Sequence, residues 1–457
     1  MGLALKKEIV EKETAIPKTT IIGLGVTGIS VARYLTKEGV NFKIVDTREA
    51  PPLLADFQQE FPNIEIQLGE LSASIFDGVE QIIVSPGVDT SLPAIHAAVI
   101  GNQCECIGDI ELFARKCKKP IVSITGSNGK STVTTLLTEM AKHAGIQAYS
   151  GGNLSPPALD LLAHDDAELI VLELSSFQLE STHSLNPVVS VVLNVSDDHL
   201  DRHGDIDNYA SIKAHIYSEA KNSVINRDDA YVSKMPTSGQ VLSFGLSKPK
   251  DNENEFGIIE DKGITFLMFG KQRILPAHEL ALQGEAGILN SLAALAIGHS
   301  LAIPMKHMLN TLRSFKGLPH RLAFVTELAG VSWFNDSKGT NIGATISSLR
   351  SLEKDIILIA GGVFKGGDLE LFKQAVIEHV KQVILLGQDA KLFSEALESS
   401  VAIEHANSMQ HAVEIARQSA IAGDKILLSP ACASFDMYAN YMQRGNDFEN
   451  CVNGISS

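Results

Sequence analysis

Short apolar runs alternate with helical patterns along most of the chain. The runs are rich in β-branched residues and end at Gly, Ser or Pro, which is typical of parallel strands buried on both faces. They are TTIIGLG (19–25), QIIVSPG (81–87), IVSITG (121–126), ELIVLELSS (168–176), PVVSVVLNV (187–195), DIILIAGG (355–362), QVILLG (382–387) and KILLSP (425–430). Between them, TVTTLLTEMAKHAG (132–145) and SMQHAVEIARQSAIAG (408–423) have helical spacing. The alternation predicts an α/β fold with parallel sheets.

The chain of 457 residues is long enough for about three domains. We place these domains at 1–107, 108–317 and 318–457, and each segment contains its own series of predicted strands and helices. In the second, the polar stretch SKPKDNENEFG (247–257) leads into GIIEDKGITFLMFG (257–270), which predicts a local hairpin. The most apolar long stretch, AGILNSLAALAIGHSLAIPM (286–305), contains Asn, Ser and His, so we interpret it as a buried helix and not as a membrane span.

Composition and charge exclude several classes of protein. With 44% hydrophobic and 20% charged residues the chain is globular and not disordered, and its net charge of −16 opposes binding to nucleic acid. The five cysteines show no paired spacing, although Cys104 and Cys106 leave a metal site as a weak alternative. The start, MGLALKKEIVEKE (1–13), lacks the apolar segment of a secretory signal. We therefore expect a soluble cytoplasmic protein with no membrane partner.

The segment SITGSNGKST (123–132) is the sharpest chemical signal. It follows a predicted buried strand and precedes a helix, the context that a phosphate-binding loop requires. Lys130 would reach the β- and γ-phosphates, and the hydroxyl of Ser131 or Thr132 would meet Mg²⁺. Ile124 stands where the full motif has its first glycine, so the loop is a variant. A tight strand–helix turn without a ligand is the alternative.

A second glycine-rich turn, GLGVTG (23–28), resembles the dinucleotide fingerprint. Asp46 ends the next predicted strand, VNFKIVD (40–46), where an acidic residue would bind a ribose hydroxyl. The motif alone does not separate NAD from other nucleotides, because any phosphate-bearing nucleotide gains from the same turn. Asp46, Thr47 and Arg48 could equally contact another ribose or base.

Several polar groups follow other predicted strands. Glu173 ends one strand and is well placed to bind a metal ion. NVSDDHLD (194–201) offers His199 beside carboxylates, either as a second cation site or as a solvated acidic turn. Lys213, taken alone, would be a helix-surface lysine, and NDSKGTN (335–341) and SPACASFD (429–436) would be helix caps. No motif for a covalent acyl-enzyme is present in the sequence.

Taken together and in this order, these segments resemble the Mur ligases of peptidoglycan synthesis. The resemblance spans nearly the whole chain and is far more specific than any single motif. The segments are GLGVTG (23–28), DTR (46–48), SPG (85–87), TGSNGKST (125–132), GGN (151–153), ELSSFQLE (173–180), NVSDDHLDRH (194–203), KAHIY (213–217), GLPHR (317–321), NDSKGTN (335–341) and SPACASFD (429–436).

The resemblance implies a three-domain ligase. Its first domain would be Rossmann-like and hold a UDP moiety. The resemblance therefore implies that the GLGVTG turn binds the UDP moiety and not NAD. The central domain would be a P-loop-type ATPase, and the third another Rossmann-like α/β domain. The implied reaction uses ATP to join D-glutamate to UDP-N-acetylmuramoyl-L-alanine through an acyl phosphate. The DTR and SPACASFD segments favour D-glutamate over another amino acid and over folylpolyglutamate synthesis. A monomer is expected.

The resemblance also implies a role for individual residues. Catalytic roles fall on Lys130, Glu173, His199 and Lys213. ATP contacts fall on Gly126, Ser127, Asn128, Gly129, Lys130, Ser131, Thr132, Asn290, Arg321 and Asp336. Contacts with the UDP substrate fall on Val26, Thr27, Asp46, Thr47, Arg48, Ser85, Gly87, Asn153 and Ser175. D-Glutamate contacts fall on Lys338, Thr340, Lys365, Ser434, Phe435 and Tyr441. Two Mg²⁺ ions would be held by Ser131, Glu173, His199 and Lys213, the last as a carbamate, which requires that the pKa of its amine be lowered.

One segment departs from the family pattern. Where the family has Gly-x-His-Asn-x-x-Asn beside the adenine, this chain has GEAGILN (284–290), and only Asn290 remains. The contact with adenine is therefore open at 286–287. Two other classes of function stay open on the sequence: a nicotinamide dehydrogenase, and a nucleotide sensor without turnover.

Overall fold

The computed structural model describes residues 17–101, 104–250 and 254–455. The N-terminal segment MGLALKKEIVEKE (1–13) and residues 251–253 of the polar stretch lie outside these residues. The chain forms two compact units. The first comprises Met1–Cys117, Pro157–Ala163 and Glu180–Ser184, and the second comprises Lys118–Pro156, His164–Leu179 and Leu185–Ser457.

The first unit contains a five-stranded parallel sheet in the order β3-β2-β1-β4-β5. The strand order reverses beside β1, which places the loop after β1 at the crevice where α/β sheets bind ligands. The strands are β1 (Thr19–Ile22), β2 (Phe42–Asp46), β3 (Ile66–Leu68), β4 (Gln81–Val84) and β5 (Glu105–Gly108). The helices are α1 (Val26–Lys37), α2 (Leu54–Glu60), α3 (Pro93–Gly101) and α4 (Asp109–Lys116).

The second unit begins with a six-stranded parallel sheet, the central sheet, in the order β11-β10-β9-β6-β8-β7. Its strands are β6 (Ile121–Thr125), β7 (Ala148–Gly152), β8 (Leu169–Glu173), β9 (Val189–Val192), β10 (Asn222–Asn226) and β11 (Gln240–Phe244). Its helices are α5 (Lys130–His143), α6 (Ser176–Glu180), α7 (Leu200–His203) and α8 (Ile206–Ala214). Every residue of β6, β8 and β9 is buried, as expected for strands covered on both faces.

A small antiparallel sheet and two helices follow. The predicted hairpin is confirmed as β12 (Phe256–Asp261) and β13 (Ile264–Phe269), and β14 (Gln272–Pro276) adds a third strand. The apolar stretch 286–305 falls mainly in α9 (Gly284–Ser300), which packs on the core of the central sheet, and α10 (Met305–Ser314) follows. Within the described ranges, no helix is long and apolar enough to cross a membrane.

The remainder of the second unit is built on the C-terminal sheet, in the order β15-β16-β20-β17-β18-β19. Only the edge pair β15 and β16 is antiparallel. Its strands are β15 (Ala323–Leu328), β16 (Val331–Asn335), β17 (Ile356–Ala360), β18 (Val380–Leu385), β19 (Ala402–His405) and β20 (Lys425–Leu428). Its helices are α11 (Ile342–Leu352), α12 (Leu369–His379), α13 (Ala390–Leu397), α14 (Met409–Ser419) and α15 (Tyr441–Ile455). The predicted α/β fold with parallel sheets is confirmed, and each of the eight apolar runs overlaps a strand.

Candidate active site

The phosphate-loop segment joins β6 to α5 at the middle of the central sheet. Gly126 and Gly129 have φ values of +150° and +85°, which side-chain-bearing residues rarely adopt. The loop is held from β9's side by Asn194, whose Oδ1 accepts a 2.8 Å hydrogen bond from the backbone N–H of Asn128. The loop ends at the N-terminus of α5, where backbone N–H groups and the helix dipole favour an anion.

Two lysines converge on this loop. Lys130 Nζ donates to the carbonyl oxygens of Gly126, at 2.8 Å, and Ser127, at 2.9 Å. Lys213, on α8, is only 1% exposed, and its Nζ lies 3.1 Å from the Gly126 carbonyl oxygen and 4.4 Å from the centre of the Tyr209 ring. Burial, together with the charge of Lys130, lowers the pKa of Lys213 well below its ordinary value. The interpretation of Lys213 as a surface lysine is therefore wrong.

Glu173 is the last residue of β8 and is buried beside the loop. Its Oε1 accepts a 2.6 Å hydrogen bond from Asn153 Nδ2, whereas its Oε2 is buried without a hydrogen-bond partner among the described residues. A buried carboxylate oxygen with no donor is costly unless a cation or proton meets it. The chemistry of this group therefore fits a Mg²⁺ ligand. No cluster of three or more His, Cys, Asp or Glu side chains suited to a metal occurs in the described part of the chain.

Asp198 and His199 follow β9, and Asp198 contacts loops of the C-terminal sheet. Asp198 Oδ1 accepts a 2.8 Å hydrogen bond from Lys365 Nζ, and its Oδ2 accepts a 3.1 Å bond from Asn341 Nδ2. Burial opposes the ionisation of Asp198, but Lys365 and His199 hold its pKa below the ordinary value. His199 has a φ of +56° and packs edge-on against Phe177, with ring centres 4.9 Å apart.

Arg321 and Asp336 lie beside the N-terminus of α5. Arg321 Nη2 donates to Ser131 Oγ at 2.6 Å. Asp336 follows β16, is buried, and accepts hydrogen bonds from the hydroxyls of Ser348, at 2.7 Å, and Ser429, at 2.8 Å. Burial raises the pKa of Asp336 to about 6, although the hydroxyls oppose this change.

Lys338 follows Asp336 and lies over the ring of Tyr441, with its Nζ 4.0 Å from the ring centre. Burial, with a further contribution from Arg321, lowers the pKa of Lys338 to about 8. Its charge is therefore within reach of titration near neutral pH.

A cavity of about 220 Å³ brings most of these groups together. Its walls include the phosphate loop and side chains from the central and C-terminal sheets, namely Lys130, Asn153, Glu173, Ser175, Asp198, His199, Lys213, Arg321, Lys338, Thr340, Asn341 and Lys365. Such a concentration of charged groups in one enclosed space is typical of an active site and not of a structural core.

A second cavity, of about 440 Å³, adjoins the same loop on the side of α9. Asn290 and Asp336 line it with Gly129 and Thr132, as do Ala286 and Gly287, the two positions that depart from the family pattern. A Cβ atom at Gly287 would lie 2.4 Å from the carbonyl oxygen of Leu282, so the backbone of Leu282 approaches Gly287 closely.

Three expected D-glutamate contacts lie outside the walls of both cavities. Ser434 is buried, Phe435 is 75% exposed, and the Tyr441 ring lies under Lys338, which lines both cavities. Conversely, Asp198, Asn341 and Tyr209 line the 220 Å³ cavity but were not singled out by the sequence. The acidic run around His199 was the only signal that could have pointed to Asp198.

The expected UDP contacts in the first unit gather at the carboxyl ends of β1, β2 and β4. Val26 and Thr27 begin α1, Asp46 ends β2 and is followed by Thr47 and Arg48, and Ser85 and Gly87 follow β4. Asn153 and Ser175 belong to the second unit.

Both carboxylate oxygens of Asp46 accept hydrogen bonds within the protein. Arg48 clamps it through Nε–Oδ1 and Nη2–Oδ2 contacts of 2.8 and 2.7 Å, and the backbone N–H of Leu24 donates to Oδ2 at 2.6 Å. Both oxygens accept hydrogen bonds, so the carboxylate holds the Arg48 guanidinium and the Leu24 N–H beside the turn that follows β1.

Three family models match the chain in succession. They describe the Mur ligase MurD-like N-terminal domain (residues 17–108), the Mur ligase middle domain (124–298) and the Mur ligase glutamate ligase domain (320–432). The chain belongs to the Mur ligase family and is an enzyme of the ligase class.

Curated relatives match over nearly the full length. A UDP-N-acetylmuramoylalanine–D-glutamate ligase from Nitrosococcus oceani is 45% identical over 442 residues, which cover 96% of this chain and 97% of the relative. Enzymes of the same name from Pseudomonas fluorescens, 45% identical over 95% of this chain and 98% of the relative, and Legionella pneumophila, 43% identical over 95% and 98%, are also similar.

Solved structures share the fold at low identity. A UDP-N-acetylmuramate-alanine ligase from Thermotoga maritima has a TM-score of 0.62 at 18% identity and covers 96% of this chain and 99% of its own. A pseudomurein peptide ligase type C from Methanothermus fervidus has a TM-score of 0.61 at 18% identity, with 96% and 100% covered. These similarities support the α/β architecture.

Proposed function

We propose that this chain uses ATP to form the amide bond between UDP-N-acetylmuramoyl-L-alanine and D-glutamate in the synthesis of peptidoglycan precursors. The near-full-length relatives of that name support the choice of substrates. The observation that carries the mechanism is the 220 Å³ cavity, in which a phosphate loop, buried acidic groups and four basic side chains besides Lys213 share one space.

In the first step a carboxylate oxygen of the alanine attacks the γ-phosphorus of ATP. The bond from that phosphorus to the bridging oxygen breaks, and ADP leaves with the electron pair. Lys130 and Arg321 are placed to balance the negative charge of the phosphates, because both lie at the loop and the N-terminus of α5. Positioning and electrostatic stabilisation account for most of the rate in such transfers.

In the second step the amine of D-glutamate attacks the acyl carbon of the acyl phosphate. A tetrahedral intermediate forms, the bond to phosphate breaks, and inorganic phosphate leaves while the nitrogen loses a proton. Lys338, Thr340 and Lys365 line the cavity opposite the phosphate loop and would bind the carboxylates of D-glutamate. Ser434, Phe435 and Tyr441 would complete that pocket.

We propose two Mg²⁺ sites, with donors from the 220 Å³ cavity and from the N-terminus of α5. Glu173, His199 and Ser131 would hold them, with a carbamate on Lys213 as a further anionic ligand. Bound Mg²⁺ would supply positive charge to the phosphate oxygens. The lowered pKa of Lys213 supports the carbamate, because only the neutral amine adds to CO₂, releasing one proton. After incubation with ¹³C-bicarbonate, we expect a carbamate ¹³C resonance that is absent in Lys213→Ala.

The remaining contacts complete the proposal. Val26, Thr27, Asp46, Thr47, Arg48, Ser85 and Gly87 would bind the UDP moiety in domain 1–107, with Asn153 and Ser175 contacting the rest of that substrate. Gly126 to Thr132, Asn290, Arg321 and Asp336 would bind ATP, and domain 318–457 would bind D-glutamate. We further propose a cytoplasmic monomer, which sedimentation equilibrium would test.

The test of the reaction is phosphate release from ATP with UDP-N-acetylmuramoyl-L-alanine present and the amine varied. We expect release with D-glutamate, and none with L-glutamate or without an amine. Release with a different amino acid would retain ligase chemistry but overturn the choice of substrate. Nucleotide binding without release for any amine would favour the sensor.

A further inference from the structure

Asn341 makes more contacts than its position as a helix cap requires. Its Oδ1 accepts a 2.8 Å hydrogen bond from the backbone N–H of Ala344 and so caps α11. Its Nδ2 lies 3.1 Å from Asp198 Oδ2 and 3.4 Å from Asn128 Oδ1. The side chain is 5% exposed and joins the C-terminal sheet's first helix to both segments that follow β6 and β9.

Asp198 is shared between Asn341 and Lys365. Lys365 Nζ donates to Oδ1 at 2.8 Å, and the Asn341 amide Nδ2 donates to Oδ2 at 3.1 Å. Asp198 is itself buried, so the loss of a donor would leave part of its charge unsatisfied or free its side chain to rotate. Either change would alter the position of Lys365.

The backbone at the start of α11 also lies close to these segments. A Cβ atom on Gly343 would lie 3.0 Å from Ser196 Oγ and 3.5 Å from Asn128 Nδ2. The first turn of α11 is therefore in close contact with the loops of the central sheet, and Asn341 supplies directed hydrogen bonds at this contact.

Capping alone does not account for the Asn341 amide. Ser408 caps α14, because its Oγ accepts a 3.2 Å hydrogen bond from the backbone N–H of His411, and Asp368 caps α12. Neither of these side chains lines the 220 Å³ cavity. A cap needs only an oxygen acceptor, so the Nδ2 contacts of Asn341 are additional to it.

We infer that Asn341 is a positioning residue that fixes Lys365 and the phosphate loop relative to each other through Asp198 and Asn128. Under the proposed function, on which this inference rests, this sets the distance between the acyl phosphate and the attacking amine. Small displacements of reacting groups have large effects on rate, because the bound geometry replaces a search in solution.

The experiment compares Asn341→Ser, which keeps an oxygen cap but loses both Nδ2 contacts, with Ser408→Ala, which loses a cap far from the cavity. For Asn341→Ser we expect kcat/KM for D-glutamate to fall by about 10- to 100-fold. KM should rise because Lys365, which would bind a D-glutamate carboxylate, is displaced, and kcat should fall because the amine is displaced from the acyl phosphate. The variant should lose some stability, because Asp198 loses a donor, but should stay folded at the assay temperature. The Kd for ADP should change little, since Lys130 and the loop N–H groups remain. Ser408→Ala should lose stability without a change in KM for D-glutamate.

Asn341→Asp provides a second variant. It keeps the cap and nearly the same volume, but it places a carboxylate against Asp198, so its kcat/KM should fall at least as far as that of Asn341→Ser. Wild-type kinetics in both Asn341 variants would overturn the inference. A rate loss that follows the folded fraction, with KM for D-glutamate unchanged, would also overturn it. Lack of turnover in the wild-type arm would instead contradict the proposed function and remove the basis of the inference.

Discussion

Buried lysines dominate the chemistry at the residue scale. Lys130, Lys213 and Lys338 all have a pKa lowered by burial, and Lys365 is held by the Asp198 carboxylate. Each lowered pKa means that the cation is less stable in the protein than in water, so the site gains most from an anionic ligand. The cavity is therefore prepared to bind several negative charges at once.

Removal of the phosphate-loop lysine should abolish turnover. In Lys130→Ala the phosphates lose a buried cation, and we expect kcat to fall by at least about 10²- to 10³-fold. The matched control is Lys142→Ala on the same helix, because Lys142 is half-exposed and forms an ion pair with Glu139 at 3.2 Å. Phosphate release from ATP is measured for both variants and for the wild type. Equal activity in the two would remove Lys130 from the mechanism.

The pH dependence of D-glutamate binding should depend on Lys338. Its pKa of about 8 means that the cation is present below pH 8 and is lost as the pH rises above it. We expect KM for D-glutamate to rise through this range, and Lys338→Arg to move the rise to higher pH because arginine stays charged. Initial rates between pH 6.5 and 9.5 test this at roughly half-unit steps. An identical profile in both proteins would assign the titration to another group.

Asp336 should make the ligand-free protein less stable as the pH rises from about 4 to 6. Its folded pKa of about 6 lies above the unfolded value, so in this window the folded protein binds more protons than the unfolded chain. The penalty at neutral pH is up to about 3 kcal/mol, and Asp336→Asn would not carry it. The variant's stability relative to wild type should therefore increase over this window in chemical denaturation. A constant difference would contradict the raised pKa.

At the scale of elements, the ends of strands carry the chemistry. β6, β8 and β9 end at the phosphate loop, at Glu173 and before Asp198, and β16 and β20 end before Asp336 and Ser429. β6, β8, β9 and β20 were predictable because they are buried on both faces and therefore consist of continuous apolar runs, whereas β16 (VSWFN) alternates between buried and half-buried residues and gave no such run. Edge strands such as β7 (AYSGG) and β15 (AFVTEL) were missed, since partial burial gives them no such run.

The start of α9 should tolerate no side chain at Gly287. A Cβ there would meet the Leu282 carbonyl oxygen at 2.4 Å, so Gly287→Ala must displace the backbone that lines the 440 Å³ cavity. We expect a loss of about 1–3 kcal/mol in stability and weaker ADP binding. Gly298→Ala, later on α9, is the control, because its Cβ would meet the flexible thioether of Met308, at 2.4 Å from the sulfur, and not a backbone atom. ADP binding that is unaffected in Gly287→Ala but lost in Gly298→Ala would contradict this account.

At the scale of the whole molecule, local motifs were predictable and long-range pairs were not. The phosphate loop, Glu173 and His199 could be predicted as site residues because each lies in a short segment whose residue types suggest the chemistry. Lys365 and Asp198 are separated by 167 positions and Asn341 and Asp198 by 143. Their pairing depends on how the loops of two sheets meet within the second unit, which no pattern within either segment specifies.

Because the proposed ADP contacts come from loops of both sheets of the second unit, ADP binding should stabilise the whole second unit against unfolding. The proposed ADP contacts come from the phosphate loop of the central sheet and from Arg321 and Asp336 beside the C-terminal sheet, with Arg321 joined to Ser131 at 2.6 Å. At ADP concentrations of about 100 times Kd, mass action adds about 2.7 kcal/mol to the free energy of unfolding. In Arg321→Ala, we expect Kd to rise about tenfold and this gain to fall by about 1.4 kcal/mol at the same ADP concentration. Calorimetric melting with and without ADP measures both values, with exposed Arg313→Ala as the control. An Arg321→Ala variant that gains as much as wild type would show that nucleotide binding does not use the contact between the two sheets.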